Sequence, residues 1–466
     1  MWYTFLKRLS KPNDESEIRM KKTVFFALLV LLLTVVLVAC GTPDETTPGE
    51  TTPYDPSGTT APLTTATVTT KEPTVTTEKL TANGIPVDKL NKVSTYPADM
   101  KFKEEGLALM KLIIRDFYNT KTNVVLNGDG GATTLWAVGS FLEAVAATYK
   151  MYPEDEEIKS VYEGLLEKGL RKFRVAYRDN GYNGAKVNGV IPFYYNASAG
   201  NQGDYYYDDD LWIAIQYIEA YNVIGKKSYL QSAQEILEFV WLGWGIWDGA
   251  DQYGNGGIPW KVNSGPTTCS NAPAAYAFAL FSQATKDEAL SHEYLERSKT
   301  VYDWTRKYLA NGSRYKDSFN NDWSGSYNNG LMIAAGSLLY DITGETIYRA
   351  HARATARAAK DYNITYQDGK ARFINDNDTV WMSAWLLKGW IEFYKIDDSN
   401  TVTFLNVCCE VMKHALDNKL ESGYLRERIH DLTCETSSTD TVNLGGGVTC
   451  LMILAEWAEL YGSNYQ

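Results

Sequence analysis

From about residue 100 onward the chain alternates two kinds of helical stretch. One kind is apolar on nearly every side: Thr134–Lys150, Asp209–Val223, Ala272–Gln283, Asn329–Ile342, Val380–Tyr394 and Gly446–Tyr461. A helix apolar all round belongs in an interior. The other kind carries Lys, Glu and Arg on one side and Leu, Val and Ala on the other: Met100–Tyr118, Asp155–Lys172, Ser228–Leu242, Ala289–Leu309, Thr346–Asp361 and Thr401–Asn418. These read as outer helices. The joints repeat too, since Tyr221-Asn222-Val223-Ile224-Gly225 resembles Tyr340-Asp341-Ile342-Thr343-Gly344, and Gly after an apolar helix end is a C-cap signal. A recurrence of about 50 to 75 residues marks a repeated supersecondary unit. Six inner and six outer stretches predict an all-α domain over residues 97–466, an (α/α)6 barrel of helical hairpins. Its early helix, Met100–Tyr118, would partner the last inner one, whereas an open solenoid would leave that helix unpaired.

The first 96 residues follow different rules. Lys21 and Lys22 precede the apolar run Thr23–Val38, which ends in Leu37-Val38-Ala39-Cys40-Gly41. A basic start, a short apolar stretch and a small-residue site read as a secretory signal, and one ending in Cys resembles a bacterial lipobox. The expectation is a signal region over 1–40 that begins functionally at Met20, with lipidation of Cys40 and a membrane-anchored protein at the bacterial cell surface. Residues 41–85 are Thr, Pro, Glu and Ser with almost no large apolar side chain. Such a segment cannot bury enough surface to fold and reads as a flexible stalk.

Charge and composition narrow the chemistry. Acidic residues outnumber basic ones, 57 to 45, and no basic stripe is visible. A polyanion needs Lys and Arg to replace its counterions, so nucleic acid is not an expected partner. Aromatic residues make up 13%, with 13 Trp and 32 Tyr, which suits a ligand with flat apolar faces and polar edges such as a sugar. Six Cys and four His show no zinc spacing, and no P-loop or dinucleotide glycine pattern is present, so neither a metal nor a cofactor is expected. Asp248-Gly249-Ala250-Asp251 and Asn375-Asp376-Asn377-Asp378 do not follow a calcium loop and read as turns or caps. Cys434 with Cys450 is one possible disulfide, and buried apolar thiols are the default reading.

The segments just before each inner helix should surround one shared cleft. They are rich in Asp, Asn, Gly, Tyr and Trp: Asn127–Gly131, Asp204–Asp210, Gly256–Trp260, Ser326–Gly330, Asn375–Asp378 and Asn443–Gly447. Among them Asp208-Asp209-Asp210 stands behind three tyrosines at a helix start. The helix dipole favours one or two acids there as simple caps. Three in a row repel one another, and crowded carboxylates push their pKa values apart, leaving one protonated and one ionised. Glycoside hydrolysis needs such a pair. Neighbours on a regular helix diverge, so the pair is expected in the turn preceding the helix, where their side chains can converge.

Tyr207-Asp208-Asp209-Asp210-Leu211-Trp212, followed by Gly256-Gly257-Ile258-Pro259-Trp260, Ser270-Asn271-Ala272-Pro273 and Tyr327-Asn328-Asn329-Gly330, resembles glycoside hydrolase family 76, the endo-α-1,6-mannanases. The resemblance runs from about Lys101 to the C-terminus. It implies an (α/α)6 barrel and a retaining mechanism on α-mannan or a related mannose-rich glycan. Asp208 would be the nucleophile and Asp209 the acid/base. Trp136, Tyr207, Asp210, Trp260, Asn271, Tyr327, Asn328 and Asp378 would contact substrate. The chain departs from the family pattern at Trp381-Met382-Ser383-Ala384 and at the first inner helix, Thr133-Thr134-Leu135-Trp136. A monomer is expected. Envelope glycan transglycosylation and non-catalytic glycan binding are the competing functions, and an (α/α)6 uronyl hydrolase fits poorly with the acidic charge.

Overall fold

The structure, a computed structural model, describes residues 100–178, 182–200, 204–367, 370–373, 379–396, 401–427, 429 and 440–463. The signal region with Cys40, the stalk, Asn375–Asp378 and Cys434 lie outside the described residues.

Among the described residues, twelve α-helices follow one another as six pairs. The outer helices are α1 (Phe102–Phe117), α3 (Glu156–Gly164, prolonged by a π turn and a 3-10 turn to Lys172), α5 (Lys227–Leu242), α7 (Glu288–Tyr308), α9 (Thr346–Asn363) and α11 (Thr401–Asp417). The inner helices are α2 (Leu135–Met151), α4 (Tyr207–Ile224), α6 (Thr268–Ala284), α8 (Ser326–Thr343), α10 (Val380–Tyr394) and α12 (Thr441–Ser463). Each inner helix packs on the next, and α12 packs on α2, so the ring closes. Helix α1 lies against α12. It runs antiparallel to it, with Lys103 Nζ 2.7 Å from Glu459 Oε1. The arrangement is the closed (α/α)6 barrel and not the open solenoid.

Sequence explains the sorting. In α9 the buried residues are Tyr348, Ala352, Thr355, Ala356, Ala359 and Asn363, one stripe at helical spacing. In α12 the stretch Thr441–Glu459 is apolar and long enough to cross a membrane, yet 83% of its most apolar part is buried within the ring. Outer helices α3 and α7 start at Asp155 and Asp287, whose side chains each accept from two first-turn amides. Gly225 and Gly344 end α4 and α8 in the left-handed region, as their repeated joints predict.

Glycines also let the inner helices touch. A Cβ on Gly330 of α8 would stand 2.3 Å from the Trp385 carbonyl oxygen, and one on Gly389 of α10 would stand 2.2 Å from the Gly330 carbonyl oxygen. Gly330 and Gly446, which fall both in the expected rim segments and in the expected inner stretches, lie inside α8 and α12 and serve helix contact. Cys269, Cys408, Cys409 and Cys450 are buried free thiols, whereas Cys434 lies outside the described residues.

Short antiparallel hairpins carry the chain from four outer helices toward the next inner helix: β1/β2 (Tyr118–Asn119, Val124–Val125), β3/β4 (Arg174–Ala176, Phe193–Tyr195), β5/β6 (Ala310–Asn311, Arg314–Tyr315) and β7/β8 (Ile364–Gln367, Lys370–Phe373). They gather at the end of the ring where the inner helices begin.

Candidate active site

Three inner helices begin with the same device. The fourth residue of α4, Asp210, accepts through Oδ1 from the amide of Tyr195, the last residue of β4, at 2.7 Å. The fourth residue of α8, Asn329, accepts from the amide of Tyr315, the last residue of β6, at 3.1 Å. The fourth residue of α6, Asn271, accepts from Ile258 N at 2.9 Å and donates to Ile258 O at 2.8 Å. All three side chains are fully buried. A buried amide without a partner is costly, so each polar residue is used to fasten the segment arriving at its helix. Asp210 and Asn271, expected to contact substrate, are therefore positioned away from the cleft as internal clamps.

Two residues earlier the chain faces open space. A cleft of about 640 Å³ is lined by Thr134, Trp136, Ala197, Tyr206, Asp208, Asp209, Trp212, Trp260, Thr267, Cys269, Asp317, Ser318, Tyr327, Trp381 and Met382. The second residue of five inner helices lines it: Trp136 of α2, Asp208 of α4, Cys269 of α6, Tyr327 of α8 and Trp381 of α10. Of the substrate contacts expected from sequence, Trp136, Trp260 and Tyr327 are here. Tyr207 is not: its ring lies flat on Phe239, 4.8 Å between centroids, in the packing beneath. Asn328 is fully buried next to the rim. Asp378 lies outside the described residues.

The acid pair also sits elsewhere than expected. Helix α4 starts at Tyr207, so Asp208 and Asp209 belong to its first turn and not to the preceding loop. They nonetheless share the cleft. Cα–Cβ bonds tilt toward a helix N-terminus, so side chains of the first turn reach the space beyond the helix end, where neighbours need not diverge.

The surroundings treat the two acids differently. Trp260 Nε1 donates to Asp208 Oδ2 at 3.2 Å. The loop bearing Trp260 is held to α4 by the Tyr207 amide, which donates to the Trp260 carbonyl at 2.9 Å. Burial pushes Asp208 up to about 6, while the Cys269 thiol, the amides of Asp209 and Asp208, and Trp260 favour its ionised form. Asp209 is held well above the usual carboxylate range by burial and by the charge of Asp208. A pair with one proton poised on Asp209 and the charge on Asp208 is what the environment favours. A third carboxylate, Asp317, is raised by burial and partly countered by Asn321 and Asn328.

Cys269 and Asp317 carry no site expectation in the sequence, and Trp212 and Trp381, named there in the motif and as a departure from it, are not among its expected substrate contacts. Aligning the helix repeats by position would have found Cys269 and Trp381, since each is the second residue of its inner helix. Asp317 sits in the loop after β6 and carries no pattern of its own.

The profile of Glycosyl hydrolase family 76 matches residues 102–396. The chain belongs to this family. A family 76 mannosidase, Bt3792 from Bacteroides thetaiotaomicron, superposes with a TM-score of 0.65 at 20% identity, covering 77% of this chain and 99% of that one. The α-1,6-mannanase GH76A of Salegentibacter sp. HEL1_6 superposes at 0.59 and 19% identity over 76% of this chain and 99% of its own; its inactive variant with two consecutive aspartates changed to asparagine was solved with α-1,6-mannotriose. The mannan endo-1,6-alpha-mannosidase DCW1 of Saccharomyces cerevisiae is 25% identical over 162 residues, 31% of this chain. The match spans about a third of that relative, 33%. As a family 76 member, the protein is a glycoside hydrolase.

Proposed function

We propose that the protein is a retaining endo-α-1,6-mannanase, held at the bacterial cell surface by a lipid on Cys40 and acting as a monomer. The observation that carries this reading is the unequal acid pair in one aromatic cleft. Burial raises both acids, but Asp208 is also contacted by groups that favour its charge, whereas the only other influence on Asp209 is the charge of Asp208, which favours its proton. In the first step Asp208 attacks the anomeric carbon while Asp209 protonates the departing glycosidic oxygen, leaving a mannosyl ester on Asp208. In the second, Asp209, now ionised, takes a proton from water, which attacks the same carbon and releases Asp208. Trp136, Trp212, Trp260 and Tyr327 offer flat faces for the sugar rings. The Salegentibacter enzyme's α-1,6-mannotriose complex and the yeast relative's name both support α-1,6-linked mannose as the substrate class. The lipid anchor rests on the Leu37-Val38-Ala39-Cys40 sequence.

The test is incubation of the soluble domain with linear α-1,6-mannan and with branched mannan. Internal cleavage to short oligosaccharides whose first-formed reducing ends are α-anomers by NMR is the expected result. Products of the β-anomer, transfer to sugar acceptors in place of water, or no cleavage of either polymer would each overturn a stated part of the reading. Replacing Cys40 by Ser in the native host should move the protein from the membrane fraction to the medium.

A further inference from the structure

Behind the cleft a second group of polar side chains crosses the ring. Glu143 on α2 is only 3% exposed, although it carries a carboxylate in an otherwise apolar helix. Its Oε2 accepts from the Trp381 indole Nε1 of α10 at 2.7 Å. Its Oε1 lies 3.8 Å from Lys388 Nζ, also on α10, and that ammonium pairs with Glu219 of α4. One ammonium thus serves two carboxylates, and burial, only partly countered by Lys388, pushes Glu143 up to about 7.

Trp381 is the centre of the indoles under the cleft. Trp212 packs edge-on to it at 4.9 Å and 82°, Trp136 at 6.0 Å and 78°, and Trp385 at 6.3 Å and 86°. Trp136, Trp212 and Trp381 all line the cleft. An indole has one polar atom, and pointing it at a fixed acceptor selects one ring orientation. Because its neighbours pack edge-on against it, that orientation is transmitted to rings a sugar would touch.

We propose that Glu143 is a positioning residue, whose carboxylate anchors the Trp381 indole from across the ring and thereby sets the aromatic floor of the sugar-binding cleft. This rests on the reading of the protein as a mannanase and deepens it by assigning a determinant of sugar affinity. Glu143 itself touches no substrate.

The test compares wild type with Glu143→Leu, Glu143→Gln and Trp381→Phe on α-1,6-mannooligosaccharides. Glu143→Leu removes the acceptor, and Trp381→Phe removes the donor while keeping a ring. Each is expected to raise KM about tenfold with kcat changed by less than about threefold. Glu143→Gln keeps a carbonyl acceptor and should return KM to within about threefold of wild type. Independently of turnover, the Trp381 indole N–H resonance, assigned by its loss in Trp381→Phe, should move in Glu143→Leu and stay near its wild-type position in Glu143→Gln. An unmoved resonance and unchanged KM in folded Glu143→Leu overturn the proposal. Should Glu143→Leu fail to fold, an unchanged KM in Trp381→Phe overturns it. If wild type cleaves no mannan, the functional reading falls and the resonance experiment still decides the role of Glu143.

Discussion

At the scale of single residues, the acid pair makes the sharpest predictions. Asp208 must be ionised to attack and Asp209 protonated to release the leaving group. Turnover should therefore climb as pH rises through about 6, where Asp208 loses its proton, and decline at higher pH as Asp209 gives up its own. The two limbs belong to the pair as a unit, and a kcat/KM profile on mannooligosaccharides measures them. Asp208→Asn should lower kcat by about a thousandfold or more. Stability should respond in the opposite sense. The raised Asp209 binds its proton more tightly folded than unfolded, so its contribution is complete below the ordinary value of 3.8 and is lost as pH rises through the raised one. Asp209→Asn suffers no such loss. It should melt above wild type at neutral pH by about 2–4 °C, and the gain should vanish near pH ~3, as read by calorimetry. The pair itself was legible from three adjacent acids ahead of an apolar helix. The division of labour between its neighbours was not. Asp210 looks like a third functional acid in the sequence, but its repeats Asn271 and Asn329 show that its position calls for a hydrogen-bond acceptor and not a charge.

At the scale of elements, the number and order of helices could be read from the apolar pattern, and the closing partnership of α1 with α12 as well. Several starts could too, those at Thr346, Val380 and Thr401 to the residue, but the starts of α4, α6, α8 and α12 could not. The Asp, Asn and Ser residues that look like loop punctuation occupy the first turns of α4, α6 and α8, because their side chains fasten the arriving hairpins and loops. The hairpins themselves are strands of two to four residues, too short to leave an alternation in the sequence. Loss of one clamp should be felt as lost stability with the chemistry left in place. Asn271→Ala removes the bonds to both polar atoms of the Ile258 backbone and should cost about 2–3 kcal/mol, checked by denaturant unfolding. Asp210→Asn keeps an acceptor for the Tyr195 amide and should leave the unfolding midpoint nearly unchanged.

At the scale of the whole molecule, closure makes the ring depend on its first helix. Phe102, Leu109, Met110, Ile113 and Ile114 of α1 are buried. Met452 of α12 lies so close to α1 that a Cβ on Gly106 would stand 2.9 Å from its Cε. A chain beginning at residue 97 should fold and unfold like the longer protein, whereas one beginning at Asn119 uncovers the outer face of α12 and should aggregate or melt far lower, as judged by light scattering during a thermal scan.

The bare backbones of Gly330 and Gly389 have a consequence for what the protein can admit. Tyr327 stands one turn before Gly330, and Trp381 precedes Gly389 on the facing helix, so the approach of those two glycines brings together two helices that each carry a cleft residue. A methyl group at either would wedge apart walls that mutation at the mouth leaves where they are. The spacing of two helices that carry cleft residues is thereby set from beneath, by two residues without side chains.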